Sequence, residues 1–295
     1  MPEPYAYFTT AEVADYLRLK ERKVYDLVRQ GQIPCSRATG KLLFPRQQID
    51  LWVLSHLEGE QAQSASAPMV VAGSQDPLLE WAIRESGSDL AVLCQGSGDG
   101  VRRLLANKAM LAGIHLLDPA TQRYNEPSEL GLNGMRDLLV VRWAKRRQGL
   151  LVPADNPLNI TGLKDLKRRD LRVAHRQPEA GAARLLNCLL HQAGIDSATV
   201  QWVPHPSLNE DDLALTISQG EADVGLGVQA AAHRLQLGFI DVCEEPFDLF
   251  MQRRSYFEPA VQQLLAFTSQ LRFRERAALL GGYDVTELGN IMHNA

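Results

Sequence analysis

Hydrophobic positions recur at helical spacing in three short segments near the start of the chain. They predict one helix after a capping box formed by Thr9 and Glu12, a second over 21–30 before a C-cap at Gly31, and a third over 46–57. The inward positions are Val13, Ala14, Leu17, Val24, Leu27, Val28, Ile49, Trp52 and Val53, and Tyr25 is also assigned to the interior. The three helices are therefore expected to share one small core.

A hairpin is predicted between the second and third helices. Residues 36–44 read as two short extended arms around Thr39 and Gly40, and Pro45 ends the second arm. Only residues 18–20 join the first two helices, so these helices must cross steeply and leave the outer face of the second one prominent. The elements together predict a helix-turn-helix with a wing over residues 1–58.

The surroundings of that outer face are basic, although the whole chain has a formal net charge of −4. A local basic patch on an acidic protein is typical of a surface that contacts DNA phosphates, although charged, solvated helix faces are also common. The acids between residues 18 and 46 are Glu21 and Asp26. The candidate DNA-binding residues are Lys20, Arg22, Lys23, Arg29, Arg37, Lys41 and Arg46.

The pattern changes after a small, polar segment, 59–68, which predicts a linker, although its first few residues could instead extend the third helix. From residue 69 onward, short apolar runs alternate with glycine-rich turns and amphipathic segments. The predicted strands are 69–72, 90–94, 112–116, 149–152, 171–174 and 222–226. This alternation predicts an α/β sheet over residues 69–295 with ligands at the strand ends.

Two of the turns carry candidate chemistry, Gly73-Ser74 and Gly96-Ser97-Gly98. Glycine lets the backbone approach a ligand, the amides at the start of the following helix carry partial positive charge, and serine adds a hydroxyl donor. Such turns favour an anion or a carboxylate, although each serine taken alone could simply cap its helix. Neither the dinucleotide glycine spacing nor a P-loop is present.

Composition excludes several classes of protein. No apolar stretch approaches the length of a membrane span, and the N-terminus lacks the features of a signal peptide, which predicts a cytoplasmic protein. The four cysteines are scattered and the seven histidines lack metal-ligand spacing, so we expect reduced thiols and no metal. No cofactor fingerprint and no pair of nucleophile and base was found, so neither a cofactor nor a catalytic residue is predicted.

The first segment resembles the winged helix-turn-helix of excisionases and MerR-type regulators. The match is carried by residues 7–17, Val24-Tyr25 and 31–34. Two positions depart from the family, since Arg18 stands where glycine is usual and Lys20 where Ser or Thr usually caps the second helix. The resemblance implies double-stranded DNA as a partner.

The second segment is similar to periplasmic-binding-protein-like domains related to molybdate and tungstate binding. The matching blocks are 72–76, 96–100, 112–118, 124–125, 147–150, 156–157, 176–177, 222–232 and 247–249. The resemblance implies two α/β lobes, about 69–147 with 246–295 and about 148–245, with a ligand between them. The residues that it assigns to the ligand are Ser74, Gln75, Ser97, Gly98, His115, Tyr124, Asn125, Arg176, Gln177 and Arg184.

One departure changes the expected ligand. Relatives typically have a Gly-Ser-Gly-Thr-Arg-like turn after the position of Gln177, whereas this chain has a turn without hydroxyls that contains Glu179. An organic carboxylate is therefore as reasonable an effector as molybdate or tungstate. Arg176 is expected to pair with a ligand anion or with Glu179, and His115 to lie either in the cleft or in the core.

These observations predict a ligand-responsive transcription regulator that works as a homodimer or a higher oligomer. Two alternatives remain open at this point, an enzyme acting on a small anion and an architectural, excisionase-like DNA binder.

Overall fold

The structure is a computed structural model that describes residues 6–37, 40–55, 67–132, 134–135 and 137–295. Contacts divide the chain into two compact units, residues 1–65 with 133–135 and residues 66–132 with 136–295. The predicted linker up to residue 66, the hairpin turn at Thr39 and the predicted end of the third helix lie outside the described residues. The domain and lobe boundaries given above remain predictions.

The smaller unit contains the three predicted helices and two short strands. Its elements are β1 (Tyr7–Phe8), α1 (Thr10–Tyr16), α2 (Glu21–Arg29), β2 (Phe44–Pro45) and α3 (Arg46–Ser55). The predicted capping box is present at α1, because the Thr9 amide donates to Glu12 Oε2 at 2.8 Å and the Glu12 amide donates to Thr9 Oγ1 at 3.3 Å. The hairpin arms meet where Ser36 and Leu43 exchange two backbone hydrogen bonds.

The core of this unit is small, and two predicted members lie outside it. Its buried residues are Val13, Ala14, Val24, Leu27, Ile33, Phe44 and Ile49. Tyr25 is 47% exposed and Val53 is 38% exposed, so both predictions of an interior position were wrong. Each follows a core-facing helical position, and one residue further along a helix rotates the side chain by about 100° toward solvent.

The joint between α1 and α2 adopts an unfavourable geometry. Arg18 has a φ of +54°, a left-handed conformation that a side chain disfavours by about 1–2 kcal/mol. Lys20 is the N-cap of α2 and makes no side-chain capping hydrogen bond. These are the two positions at which the sequence departs from the helix-turn-helix family that it resembles. The joint is therefore locally less stable than one with the usual residues.

The larger unit is an α/β domain. Its strands are β3 (Val70–Gly73), β4 (Ala91–Cys94), β5 (Leu111–Ile114), β6 (Leu138–Val152), β7 (Val173–Ala174), β8 (Val224–Val228), β9 (Gly238–Gln252), β10 (Tyr283–Asp284) and β11 (Ile291–Asn294). Its helices are α4 (Pro77–Ser86), α5 (Ser97–Leu105), α6 (Gly181–Gln192), α7 (Glu210–Ser218), α8 (Gln229–Arg234), α9 (Arg253–Tyr256), α10 (Pro259–Thr268) and α11 (Leu271–Leu280).

One sheet, with the strand order β4-β3-β5-β9-β6-β8-β7, organises this unit, and β10 and β11 pair with β6. The pairs β3–β4, β3–β5 and β7–β8 are parallel, whereas the long strands β6 and β9 run antiparallel to each other along their whole length. The sequence predicted only residues 149–152 of β6 because charged side chains interrupt its apolar pattern. One of these, Arg146, is fully buried.

Two hydrophobic clusters flank the sheet. The larger one includes α4, α10 and α11, where Trp81 packs against Phe267 and Phe273 with ring centroids 5.4 and 6.5 Å apart. The smaller one gathers apolar residues of β7, α6 and the adjoining ends of β6 and β8. The long strands β6 and β9 contribute to both clusters, so they connect the two parts of the unit. Within the described ranges, no helix combines the length and the apolar character needed to cross a membrane.

Candidate functional site

The two predicted serine turns meet in the larger unit. Ser74 Oγ and Ser97 Oγ lie 2.8 Å apart, and both residues are buried. Ser97 Oγ also accepts a hydrogen bond from the backbone amide of His115 at 3.1 Å. Because one hydroxyl proton suffices for the hydrogen bond between the serines, the other is available to donate to a ligand.

Helix α5 begins at this pair of serines. Its N-cap, Gly96, has a φ of +100°, which glycine adopts far more readily than other residues. The amides of Ser97, Gly98 and Asp99 have no hydrogen-bond acceptor among the described residues. Three donors at a helix N-terminus, next to a free hydroxyl proton, make a position suited to negative charge.

The start of α6 lies next to the start of α5. An ideal Cβ built on Gly96 would be 3.5 Å from the Glu179 carbonyl oxygen and 3.6 Å from Ala180 Cα. The amides of Gly181 and Ala182 also lack an acceptor in the part of the chain that the structure describes. Two positively polarised helix ends therefore approach each other, which is unfavourable unless a negative group lies nearby.

His115 connects these helix ends to a buried network of charges. Its Nδ1 lies 2.9 Å from Glu245 Oε2, and the other Glu245 oxygen accepts from Gln148 Nε2 at 2.8 Å and from Arg146 Nε at 3.1 Å. Arg146 also donates to Asp76 Oδ2 at 3.1 Å. Burial alone would raise the pKa of Glu245, but the interactions with His115 and Arg146 outweigh it and lower the pKa to about 2. The guanidinium of Arg146 is thus already neutralised by two carboxylates.

Arg176, a predicted ligand residue, is also paired within the protein. It is buried, its Nη1 forms an ion pair with Glu210, and its Nε donates to the Ser207 carbonyl at 3.2 Å. The expected alternative partner, Glu179, instead pairs with Arg102 at 2.7 Å. The charge of Arg176 is therefore balanced within the protein, and its guanidinium joins the segment before α6 to the start of α7.

Gln75 connects the β3–α4 turn to the start of α7. Its Oε1 accepts from the Glu210 amide at 3.1 Å, and its Nε2 donates to Asp211 Oδ2 at 3.2 Å. Gln177, another predicted ligand residue, donates to the Leu208 carbonyl at 3.0 Å. Both side chains hold neighbouring segments together at the edge of the site.

The remaining predicted residues are not brought to the serine pair. Asn125 is buried with its amide engaged, since it accepts from the Leu116 amide at 2.8 Å and donates to Asp248 at 2.8 Å. Tyr124 packs against the smaller cluster, where burial raises the pKa of its phenol. Arg184 is exposed and lines a separate cavity of ≈ 70 Å³.

Sequence reasoning missed several residues that shape this site. They are Asp76, Arg146, Gln148, Gly181, Glu210 and Glu245. The N-cap role of Asp76 before Pro77 could have been read from the sequence. Arg146 and Glu245, however, are 99 residues apart in the chain and pair across two strands, so their contact leaves no local signal. The described residues contain no group of three or more His, Cys, Asp or Glu arranged to hold a metal ion.

Comparison with known proteins identifies both units. The model of the PBP superfamily domain matches residues 80–269, which is well over half of the chain. The chain belongs to the PBP superfamily. A helix-turn-helix domain model matches residues 7–56 of this PBP superfamily member. The chain therefore combines a helix-turn-helix with a fold of binding proteins, the two parts of a ligand-responsive transcription regulator.

The chain is similar to a relative in sequence and to two solved structures in fold. The chain is 24% identical over 302 residues to the protein from Bacillus subtilis named uncharacterized protein YvgK, and the match covers 97% of each chain. A phosphate-bound, putative phosphate transporter substrate-binding protein from Clostridium perfringens aligns with a TM-score of 0.53 at 13% identity, over 74% of this chain and 99% of that one. OxyR from Corynebacterium glutamicum, as a cysteine-to-serine mutant with bound hydrogen peroxide, aligns with a TM-score of 0.50 at 13% identity, over 92% and 90% of the chains. At these identities the two solved structures indicate the fold alone.

Proposed function

We propose that this chain is a DNA-binding transcription regulator whose PBP domain binds a small anion between two lobes, about 69–147 with 246–295 and about 148–245. The observation that carries the proposal is the approach of the α5 and α6 N-termini beside Ser97. Each helix end carries about half a positive charge, and several of its amides lack an acceptor among the described residues. An anion at this point accepts those hydrogen bonds and removes the repulsion between the two ends.

The pairing of the charged side chains around the site indicates that helix dipoles and hydrogen-bond donors recognise the ligand. Arg146 and Arg176 are bound to carboxylates of the protein itself, and the Glu179 carboxylate beside Gly98 is paired with Arg102. With these charges balanced, amides and a hydroxyl proton are the donors left for the ligand. An ideal Cβ built on Gly96 would already touch the backbone of Glu179 and Ala180, so the two helix starts pack closely, which favours a compact ligand. A tetrahedral oxyanion such as phosphate, sulfate, molybdate or tungstate fits that description better than a larger organic carboxylate.

Binding rather than turnover is favoured by the contacts of the polar groups. The hydrogen bond that Ser97 Oγ accepts comes from the backbone amide of His115, and the imidazole Nδ1 contacts Glu245. These contacts hold the turn and the ring in place. The regulatory mechanism is linkage, in which the ligand binds one arrangement of the lobes more tightly and thereby changes the DNA affinity of the dimer, by about 1–3 kcal/mol for typical couplings.

A melting screen of the full chain tests the ligand half of this proposal. The compounds are sodium phosphate, sulfate, molybdate and tungstate, with acetate and succinate as the carboxylate arm, all at one ionic strength. A ligand at 100 times its dissociation constant adds about 2.7 kcal/mol of stability, which is a clear shift in Tm. A shift with an oxyanion supports the proposal, and the absence of any shift across the panel contradicts it.

A further inference from the structure

The outer face of α2 carries a tyrosine among its basic residues. Arg22, Tyr25 and Arg29 are spaced i, i+3 and i+7, so they form one stripe along the helix. Val24 and Leu27 point the other way, into the core. All three members of the stripe are exposed, and Tyr25 makes no hydrogen bond or ring contact with any described residue.

The arginines of this stripe have charge available for DNA. The Arg29 side chain is 80% exposed, and its ion pair with Asp26 is long, at 3.8 Å. Exposed pairs of this kind contribute little to stability, so phosphates can compete for the arginine. Charge of this sort gives affinity for any duplex and makes binding depend on salt concentration.

A phenol at the centre of the stripe serves a different purpose. Unlike lysine or arginine, tyrosine is not a cation, so it releases no counterions from DNA, yet it presents an apolar ring and one hydroxyl. In the major groove those groups match the methyl group of thymine and the hydrogen-bonding edges of bases. We propose that Tyr25 reads base sequence, while the neighbouring basic residues bind phosphates. The inference rests on the proposed function, because it requires the helix-turn-helix to bind DNA.

Selection from a duplex library with a randomised core tests this division of roles in the full-length chain. Wild type, Tyr25→Ala and Tyr25→Phe are compared, and Tyr7→Ala is the matched control, because Tyr7 is 54% exposed and lies in β1. Circular dichroism confirms that each variant is folded. The affinity for the wild-type site and for an unrelated duplex is then measured over a range of salt concentrations.

Tyr25→Ala is expected to lower affinity for the selected site by about 5- to 150-fold, the range for loss of one base pair's recognition. In Tyr25→Ala the affinity for the unrelated duplex and the slope of log affinity against log salt keep their wild-type values. Tyr7→Ala keeps the wild-type affinity for both duplexes. Retention of specificity in Tyr25→Phe assigns the contact to the ring, and its loss assigns the contact to the hydroxyl. If Tyr25→Ala selects the same sites as wild type, the inference is overturned and DNA binding itself stands. The same holds if wild type binds duplexes without any sequence preference. Failure of wild type to bind any duplex removes the proposed function as well.

Discussion

Gly181 lies directly against His115. An ideal Cβ at position 181 would be 2.4 Å from the His115 carbonyl oxygen and 2.6 Å from its Cε1. Real Cβ atoms do not approach other atoms so closely, so only a hydrogen fits between the start of α6 and the residue that follows β5. The approach of the two helix ends, and with it the proposed anion site, therefore depends on glycine at this position.

Gly181→Ala is expected to weaken binding of the anion that the melting screen identifies. Overpacking of a close contact costs about 1–3 kcal/mol, which corresponds to roughly 5- to 150-fold in dissociation constant. Isothermal titration calorimetry on the purified chain measures this directly.

Gly162→Ala is the control for that substitution. Nothing lies within 4 Å of a Cβ at position 162, and its φ of 170° suits any residue. The dissociation constant of Gly162→Ala for the anion should match that of wild type. Equal affinities for Gly181→Ala and Gly162→Ala would show that the site does not require the close approach of α6.

Ser97→Ala removes the hydroxyl shared by the two serine turns. A hydrogen bond to a charged ligand contributes about 1.5–3 kcal/mol, so we expect an increase in the anion's dissociation constant of roughly 10- to 150-fold. Ser88→Ala is the matched control, because Ser88 is also buried and its hydroxyl has no partner among the described residues. A similar change in the dissociation constant of both variants would show that the effect comes from a general loss of stability.

The sequence was sufficient for local elements and insufficient for the contacts that complete the site. Spacing and capping residues predicted α1, α2, α3 and the two serine turns, because each depends on neighbours in the chain. The surroundings of Arg176 were not predictable, since Glu210 reaches it from a separate helix. Two adjacent strands, β6 and β9, were obscured because their charged side chains find partners only after the sheet has formed.

Protonation of Glu245 should destabilise the fold in acid. Its pKa is lowered from 4.5 to about 2 in the folded chain, so the stability that it contributes is present above the unfolded value and is lost as the pH falls through the folded one. Between about pH 5 and about pH 3 this group alone accounts for a loss of about 2 kcal/mol. Urea unfolding at both pH values measures the free energy of unfolding, and Glu245→Gln should lose about 2 kcal/mol less than wild type between them. An identical loss in the variant would show that Glu245 is not the group responsible.

Lys20→Ser should change stability and DNA affinity in opposite directions. A serine N-cap stabilises a helix by about 1 kcal/mol, so the amides of α2 should exchange hydrogen roughly fivefold more slowly. Loss of the lysine removes one phosphate contact and reduces the dependence of log affinity on log salt by about 1. Lys108→Ser, in the larger unit, serves as a control that loses the same charge elsewhere. Unchanged salt dependence in Lys20→Ser would remove Lys20 from the DNA-binding surface.

The most direct test of regulation is the affinity of the full chain for its own promoter DNA, measured by fluorescence anisotropy with and without the anion from the melting screen. Chloride replaces the anion in the reference samples, because ionic strength alone alters DNA binding. The account predicts a change in affinity of about 5- to 150-fold for wild type and a much smaller change for Gly181→Ala at the same anion concentration. An affinity that is the same with every anion of the panel would contradict it.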